Sequence, residues 1–357
     1  MPPLRTVVPF AAFAGLALIC SAGCSGCNKS AGGKLVGGGA TFVDPIMQKW
    51  ATEYKAVAAV DVDYTAKGSG FGIGQMTDKN FAFGCSDAPM SKKELEAAKA
   101  GGDVIHIPVT IGAVAIVYHV PGVPQLKLSG DAVARIYLRT ITKWNDPAIV
   151  DLNPGVSLPD LAIVPVSRAE DSGTTSIFTE YLSKVSPEFQ SKIGISKKPT
   201  WPPGGTGQQG NGGIANHVKE NAGSIGYVEL SYARKNGLAF ASIRNKKGNF
   251  VAPEAAAVTA AAEAAATDKP TAEPYTLHEL TFSLTDTAGE KAYPIVGVSY
   301  AILFAKPPAD KGGKLAVAFL KWVVTDGQKY AAEMDYAPLP EDLRKKCLDR
   351  LGKIAAE

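Results

Sequence analysis

Strand-like and helix-like segments alternate along most of this chain of 357 residues. Residues 60–64 alternate valine or tyrosine with aspartate, which predicts a half-buried strand. Apolar residues between 46 and 54 recur at helical spacing behind Pro45, a residue that fits the first turn of a helix. The alternation predicts an α/β fold with largely parallel sheets, and the length suits two lobes better than one core.

Further segments continue this alternation. Ser91 and Glu94 form a capping box, which predicts a helix through about residue 100. Apolar runs rich in β-branched residues predict strands over residues 104–107, 112–120, 163–166 and 296–304. Helices are predicted over residues 176–184 and 314–324. Residues 253–270 are rich in alanine and predict a peripheral helix without a direct functional role, or a low-complexity surface insertion.

The charged and metal-ligating residues exclude several functions. The net charge of +3 is small against 37 basic and 34 acidic residues, so we expect no nucleic-acid surface. Cys85 and Cys347 are too few and too distant for a zinc site or a disulfide framework. The histidines lack the paired spacing of metal ligands, at His106, His119, His217 and His278. We therefore expect ordinary core or surface histidines, no metal and no cofactor.

The N-terminus predicts export. Its apolar run, residues 7–19, is shorter than the roughly 18 to 20 residues that span a bilayer. The segment around Cys24 resembles a bacterial lipoprotein cleavage box, although Ser21 stands where an aliphatic residue is usual. A Gly/Ser/Lys-rich stretch follows. We therefore predict a lipoprotein signal peptide (1–23), a flexible tether (24–33) and lipidation of Cys24; the alternative is a plain secretory signal with incidental cysteines.

Three turns combine glycines with hydroxyl residues at places where a strand is expected to meet a helix. They cover residues 37–42, 68–72 and 171–175. Such turns offer free backbone N–H groups at the positive end of a helix dipole, and serine and threonine add O–H donors. One such turn is usually an N-cap, but three together predict a shared tetrahedral oxyanion. None matches a nucleotide-binding loop.

Two charged residues near these turns indicate which oxyanion is bound. Arg168 lies four residues before Ser172 and can offer a bidentate fork to two oxygens, with Glu170 placed to hold the guanidinium. Asp87 would repel a bare anion, but it can accept a hydrogen bond from a proton that phosphate keeps and sulphate lacks. In isolation Asp87 would be interpreted as a helix N-cap.

Motifs between residue 34 and the C-terminal helix resemble, in order, the phosphate-binding protein of the bacterial high-affinity phosphate ABC transporter. They include Gly-Ala-Thr-Phe at 39–42, Gly-Ser-Gly at 68–70, Ser-Asp-Ala-Pro at 86–89, Asp-Ser-Gly-Thr-Thr-Ser at 171–176, Gly-Asn-Gly-Gly-Ile at 210–214 and Ser-Ile-Gly-Tyr-Val-Glu at 224–229. The resemblance implies a type II periplasmic-binding-protein (Venus flytrap) fold, in which two α/β lobes are joined by two hinge strands. By this resemblance, lobe I comprises 34–119 and 299–357, and lobe II comprises 120–298.

The resemblance also implies the phosphate ligands. The expected set is Thr41 and Phe42 through backbone N–H groups and a hydroxyl, Ser69 through its hydroxyl, Asp87 for the protonated oxygen, and Arg168, Ser172, Gly173 and Thr174. Glu170 stands where aspartate often supports the arginine. Cys85 stands where a small residue is common, and we expect it to be buried and inert.

The implied function is the binding of inorganic phosphate and its delivery to the permease subunits of an ABC importer. We expect an exported monomer, in the periplasm or at the cell surface and lipid-anchored to a membrane, without catalysis. The alternatives are a receptor for sulphate or molybdate, a phosphate sensor or scavenger without an importer, and a serine or phosphoryl-transfer hydrolase with Ser172 as nucleophile. The hydrolase lacks a nucleophile elbow.

Overall fold

The computed structural model describes residues 33–265 and 272–354. The predicted signal peptide, the tether up to residue 32 and Cys24 lie outside the described residues. Within the described ranges, no helix combines the length and apolar character needed to cross a membrane.

The described chain alternates strands and helices, as predicted. The strands are β1 (Lys34–Gly39), β2 (Asp61–Ala66), β3 (Phe83–Ser86), β4 (Val104–Tyr118), β5 (Lys127–Leu128), β6 (Val164–Arg168), β7 (Thr206–Gln208), β8 (Ser224–Glu229), β9 (Ala239–Phe240), β10 (Ser242–Arg244), β11 (Phe250–Val251) and β12 (Val296–Phe304). The α-helices are α1 (Asp44–Ala58), α2 (Ser69–Thr77), α3 (Lys92–Ala98), α4 (Gly130–Tyr137), α5 (Pro147–Val150), α6 (Gly173–Val185), α7 (Pro187–Lys192), α8 (Gly210–Glu220), α9 (Leu230–Lys235), α10 (Ala255–Ala264), α11 (Gly313–Val323) and α12 (Glu341–Gly352).

The strands form one main sheet in the order β2-β1-β3-β12-β4-β8-β6-β7, with β9 paired to β4. At one end β1 runs parallel to β2 and β3, and at the other β6 runs parallel to β7 and β8. In the middle β12 and β4 are antiparallel to each other and to their outer neighbours. The fold is therefore mixed α/β, with two parallel groups connected by two long buried strands.

Strand β4 corrects one expectation. Two strands were predicted, at 104–107 and 112–120, but the structure has a single strand of 15 residues. Pro108 cannot donate to a ladder, and it lies beside a shift in register at which Ser299 pairs with Thr110 and Tyr300 pairs with Pro108. The irregularity accommodates the proline inside a continuous strand. Strand β4 pairs with β12 up to residue 113 and with β8 from residue 114; the lobe boundaries at 119 and 299 stay a prediction.

The helix predictions hold, with small shifts of their ends. Ser91 and Glu94 form the predicted capping box at the start of α3. The alanine-rich segment contains α10, whose Val258 and Ala261 are fully buried, so this helix packs one face into the core. Residues 266–271 of that segment lie outside the described residues.

The topology brings the predicted turns together. Strands β1, β2 and β3 are parallel and in register, so their carboxyl ends lie side by side: Gly39 is opposite both Ala66 and Cys85. Helix α1 begins shortly after β1, and α2 begins shortly after β2. Ligands of open α/β sheets bind outside the carboxyl ends of parallel strands. A binding site is therefore expected at this edge of the sheet.

Helix α2 can approach this edge because glycines face each other. A Cβ atom on Gly72 would lie 2.6 Å from Gly38 O and 2.8 Å from Cys85 O, both backbone atoms. By contrast, a Cβ atom on Gly74 in the same helix would have no heavy atom within 4 Å. The position of α2, and of Ser69 at its start, thus depends on a bare Cα at residue 72.

We predict that Gly72→Ala lowers the free energy of unfolding by about 1 to 3 kcal/mol, because the backbone of the sheet cannot move away. Gly74→Ala is the matched control and should be neutral or stabilising by up to about 1 kcal/mol, since alanine favours helix. Urea unfolding followed by circular dichroism measures both. Equal effects of the two substitutions would contradict the packing argument.

Candidate functional site

Two helix N-termini and one carboxylate meet at Ser69. Its hydroxyl oxygen accepts hydrogen bonds from the backbone N–H of Gly173 (3.0 Å) and from that of Asp87 (3.3 Å). Ser69 is the first residue of α2, Gly173 is the first residue of α6, and Asp87 follows β3. Residues far apart in sequence thus form one buried cluster, which contains three of the predicted site residues.

Gly173 allows this close approach. A Cβ atom there would lie 2.5 Å from Asp87 Oδ2 and 2.5 Å from Ser69 Oγ, distances that are sterically forbidden. Any other residue would push α6 away from α2 and from the carboxylate. The glycine of the Asp-Ser-Gly-Thr-Thr turn is therefore required by packing.

Asp87 is a buried carboxylate, with 3% of its surface exposed. Its Oδ1 accepts a hydrogen bond from Ser299 Oγ (2.8 Å), and its Oδ2 lies 3.5 Å from Ser69 Oγ. Burial raises the pKa of Asp87 to about 7, while the hydroxyl of Ser299, the charge of Arg168 and the hydroxyl of Ser69 oppose the shift. Asp87 is therefore poised between carboxylate and carboxylic acid near neutral pH.

Arg168 lies at the end of β6 with 1% of its side chain exposed. Its Nε and Nη2 both donate to Glu170 Oε1, at 2.7 Å for Nε, and its Nη1 donates to Thr174 Oγ1 (3.2 Å). Glu170 Oε1 also accepts from the backbone N–H of Gly210 (3.2 Å). The glutamate thus fixes the plane of the guanidinium and balances its charge.

The first turn, residues 37–42, joins the same cluster through Asn211. Asn211 Nδ2 donates to Thr41 Oγ1 (2.8 Å) and lies 3.3 Å from Thr174 Oγ1. The Thr41 carbonyl accepts from Tyr232 OH (2.8 Å), and the next carbonyl, that of Phe42, accepts from Tyr336 OH (2.6 Å). The side chain of Phe42 is fully buried, so its packing in the core fixes the position of its backbone beside the site.

The helix N-termini supply a positive potential. Neither α1 nor α2 has a side-chain cap on its first N–H groups, whereas Ser172 caps α6 by accepting from the Thr175 N–H (3.1 Å). The N–H of Gly70 in α2 donates to the carbonyl of Asp171 (3.1 Å). Helix N-termini without a side-chain cap favour an anion through their dipole and their remaining N–H groups. With the hydroxyls of the cluster and Arg168, they form a donor-rich site around one carboxylate.

Sequence reasoning did not assign a role to Asn211, Tyr232 or the hydroxyl of Ser299. Asn211 and Tyr232 lie in or next to motifs that support the family resemblance, but nothing in their spacing indicates contact with Thr41. Ser299 lies within a buried strand, where a hydroxyl by itself does not indicate a function. These contacts depend on the folded sheet, which brings β12 next to β3 and α8 next to the first turn.

His106 and His278 are 172 residues apart in the sequence, but their rings are in contact in the structure. The ring centroids of His106 and His278 are 3.7 Å apart, and both rings bond to the backbone of Met90. Burial lowers the pKa of His106 well below its usual value, which keeps this ring neutral. Within residues 33–265 and 272–354, no group of three or more His, Cys, Asp or Glu side chains could hold a metal ion.

Cys85 and Cys347 are buried free thiols. Burial raises the pKa of the Cys85 thiol, and it raises the pKa of the Cys347 thiol to about 12. A thiol that stays protonated is a poor nucleophile, so the expectation that Cys85 is buried and inert agrees with its surroundings.

We predict a pH-dependent stability difference between the wild-type protein and Asp87→Asn without added phosphate. Because the folded-state pKa of Asp87 is raised, its contribution to stability is fully present below about pH 4 and is lost as the pH rises through about 7. The variant should therefore gain on the order of 1 to 4 kcal/mol over wild type between pH 4 and pH 8.

Urea unfolding at pH 4, 6 and 8 measures this difference. Asp171→Asn removes an exposed carboxylate from the turn at residues 171–175 and serves as the matched control. A constant difference between Asp87→Asn and wild type across this pH range would contradict the raised pKa.

Comparison with known proteins gives the family. Residues 28–327 match the model of a PBP superfamily domain. The chain is 40% identical over 314 residues to the phosphate-binding protein PstS of Pasteurella multocida, covering 87% of this chain and 88% of the relative. It is 38% identical over 315 residues to that of Xylella fastidiosa, covering 88% and 83%. A periplasmic phosphate-binding protein solved with bound phosphate shares the fold, with a TM-score of 0.69 at 20% identity, over 88% and 92% of the two chains. The chain therefore belongs to the PBP superfamily and, within it, to the family of phosphate-binding proteins named PstS.

Proposed function

We propose that this protein binds inorganic phosphate in the cleft between its two lobes and delivers it to an ABC importer. The observation that carries the proposal is a buried carboxylate, Asp87, within a cluster of hydrogen-bond donors. A site for a fully ionised anion would contain donors alone. A carboxylate in this position is useful if the ligand brings a proton, as phosphate does near neutral pH.

The names of the relatives support phosphate over other oxyanions. The Pasteurella and Xylella proteins are named phosphate-binding proteins, at 40% and 38% identity. Sulphate and molybdate carry no proton under the same conditions, so either ion would place a bare oxygen against Asp87. The carboxylate form of Asp87 would repel that oxygen strongly in a buried site, where water does not screen the charges.

We assign the ligand roles as follows. Backbone N–H groups and hydroxyls come from Thr41, Phe42, Ser69, Ser172, Gly173 and Thr174, the guanidinium comes from Arg168, and Asp87 accepts the proton of phosphate. Glu170 supports the arginine, since it binds the Nε edge and leaves Nη1 turned toward Thr174. The ion would thus be held by dipoles and hydrogen bonds rather than by net charge, because Arg168 is already balanced by Glu170.

The contacts of Ser172 support a receptor rather than a hydrolase. Its hydroxyl accepts the N–H of Thr175 as the cap of α6. The four histidines, all in the described part of the chain, bond elsewhere: to Met90, Val218 and Gln208. A nucleophilic serine needs a base within hydrogen-bond reach, and the contacts of Ser172 do not include one.

The remaining features of the proposal concern location and motion. We propose that the protein is exported, is anchored by lipid at Cys24 and works as a monomer with the permease subunits of the importer. The lobes would be 34–119 with 299–357, and 120–298, and would move about the long strands β4 and β12. The contacts between Ser69 and Gly173 and between Thr41 and Asn211 would then be made when the lobes come together.

Calorimetry of the purified protein, after removal of bound ligand, tests the function. We expect one phosphate per chain and binding of sulphate and molybdate that is weaker by several orders of magnitude. Arg168→Ala should weaken phosphate binding by on the order of 2 to 5 kcal/mol, and Arg168→Lys should not restore it because the planar fork is lost. Tighter binding of sulphate than of phosphate would contradict the proposal.

Asp87→Asn should narrow the ratio of the phosphate and sulphate affinities. The amide keeps the shape of the carboxylate but offers an N–H donor to the bare oxygen of sulphate. A buried polar group that only the correct ligand can pair with can favour that ligand over its competitor by about 10⁴-fold. Competitive calorimetry at fixed ionic strength measures the ratio in the folded variant. An unchanged ratio would mean that donor geometry, and not Asp87, rejects sulphate.

For the anchor, we expect mass spectrometry of membrane-derived protein to find an acylated N-terminal Cys24. Cys24→Ala should release the protein from the membrane fraction, since a covalent lipid supplies the apolar contact with the bilayer. Cys27→Ala is the matched control and should leave the protein in that fraction. Mature protein that begins at another residue without a lipid would contradict the assignment.

A further inference from the structure

Asn211 contacts hydroxyls from two of the three turns. It is the second residue of α8 and is fully buried. Thr41 Oγ1 accepts from both the backbone N–H (3.2 Å) and the side-chain Nδ2 (2.8 Å) of Asn211, and Nδ2 also lies 3.3 Å from Thr174 Oγ1. One residue outside the proposed ligand set therefore bridges two members of that set.

These contacts fix the direction of both hydroxyl protons. A hydroxyl has two lone pairs and one proton. Both lone pairs of Thr41 Oγ1 are used by Asn211, and those of Thr174 Oγ1 are used by Arg168 Nη1 and by Asn211 Nδ2. Each hydroxyl can then act toward a further group only as a donor.

The orientation of the Asn211 side chain is itself fixed. Its Oδ1 accepts the backbone N–H of Glu229 (3.0 Å), so its amide nitrogen faces the two threonines. Glu229 ends β8, the strand that pairs with β4. The end of β8, beside the long strand β4, thus holds the residue that orients the hydroxyls.

We propose that Asn211 is a positioning residue that makes the hydroxyls of Thr41 and Thr174 donors to the bound anion. This inference rests on the proposed function and adds a residue that sets the polarity of the site. With both hydroxyls fixed as donors, Asp87 is left as the acceptor among the assigned ligands. The site then matches an ion with several bare oxygens and a proton on one oxygen.

Asn211→Asp tests this role with little change in shape. The aspartate keeps the oxygen that accepts from Glu229 but replaces the Nδ2 donor by an acceptor. The hydroxyl of Thr41 then donates to residue 211 instead of to phosphate. We expect phosphate affinity to fall by roughly 10- to 100-fold, with the fold retained. Gln209→Glu, at the exposed N-cap position of the same helix, adds the same charge and should change affinity much less.

A double-mutant cycle separates proton orientation from charge repulsion. Asn211→Asp is measured in the Thr41→Ser background, which keeps the hydroxyl, and in the Thr41→Val background, which removes it. We expect Asn211→Asp to cause its full loss of phosphate affinity in the serine background. In the valine background the loss should be at least about threefold smaller. If Asn211→Asp does not fold, Asn211→Ala replaces it in the same cycle, with the same expected dependence on the hydroxyl.

Each outcome has a distinct meaning. Wild-type protein that does not bind phosphate overturns the proposed function, and the role of Asn211 falls with it. Wild-type binding with equal losses in the serine and valine backgrounds overturns the positioning role alone. Unchanged phosphate affinity in Asn211→Asp also overturns the positioning role and leaves the proposed function standing.

Discussion

The site depends on the burial of a carboxylate among hydrogen-bond donors. Removing Asp87 from water disfavours its charged form, and the hydroxyls of Ser299 and Ser69 and the charge of Arg168 compensate only in part, since the pKa remains near 7. A ligand that shares a proton with Asp87 relieves this penalty, whereas a ligand without a proton increases it. The selectivity that we propose therefore follows from desolvation together with charge, because the ions have nearly the same shape.

The fold supplies what this carboxylate requires. Parallel strands end at one edge, so β3 delivers Asp87 beside α2, while β12 places Ser299 against it. Gly72 lets α2 sit close to the sheet, and Gly173 lets α6 reach the carboxylate. The two glycines allow helices from distant segments of the chain to pack closely. Their hydrogen-bond donors can therefore lie within reach of one small ion.

The sequence predicted the elements well because their signals are local. Strand alternation, the capping box at Ser91 and the turns rich in glycine and hydroxyl residues each depend on neighbours in the chain, and the structure reproduces them. The single strand through Pro108 was missed, since a proline usually ends a strand and the compensating register shift involves the partner β12. Asn211, Ser299 and the pair formed by His106 and His278 were missed for a related reason: their contacts join segments that only the folded sheet brings together.

A crystal structure of the phosphate complex tests the central claim most directly. The account predicts one phosphate between the N-termini of α1, α2 and α6, with an oxygen about 2.5 to 2.7 Å from an Asp87 carboxylate oxygen, a distance typical of a charge-assisted O–H···O⁻ bond. Arg168 and the hydroxyls of Thr41 and Thr174 should donate to the other oxygens. Phosphate bound elsewhere, or bound here with water between it and Asp87, would contradict the claim.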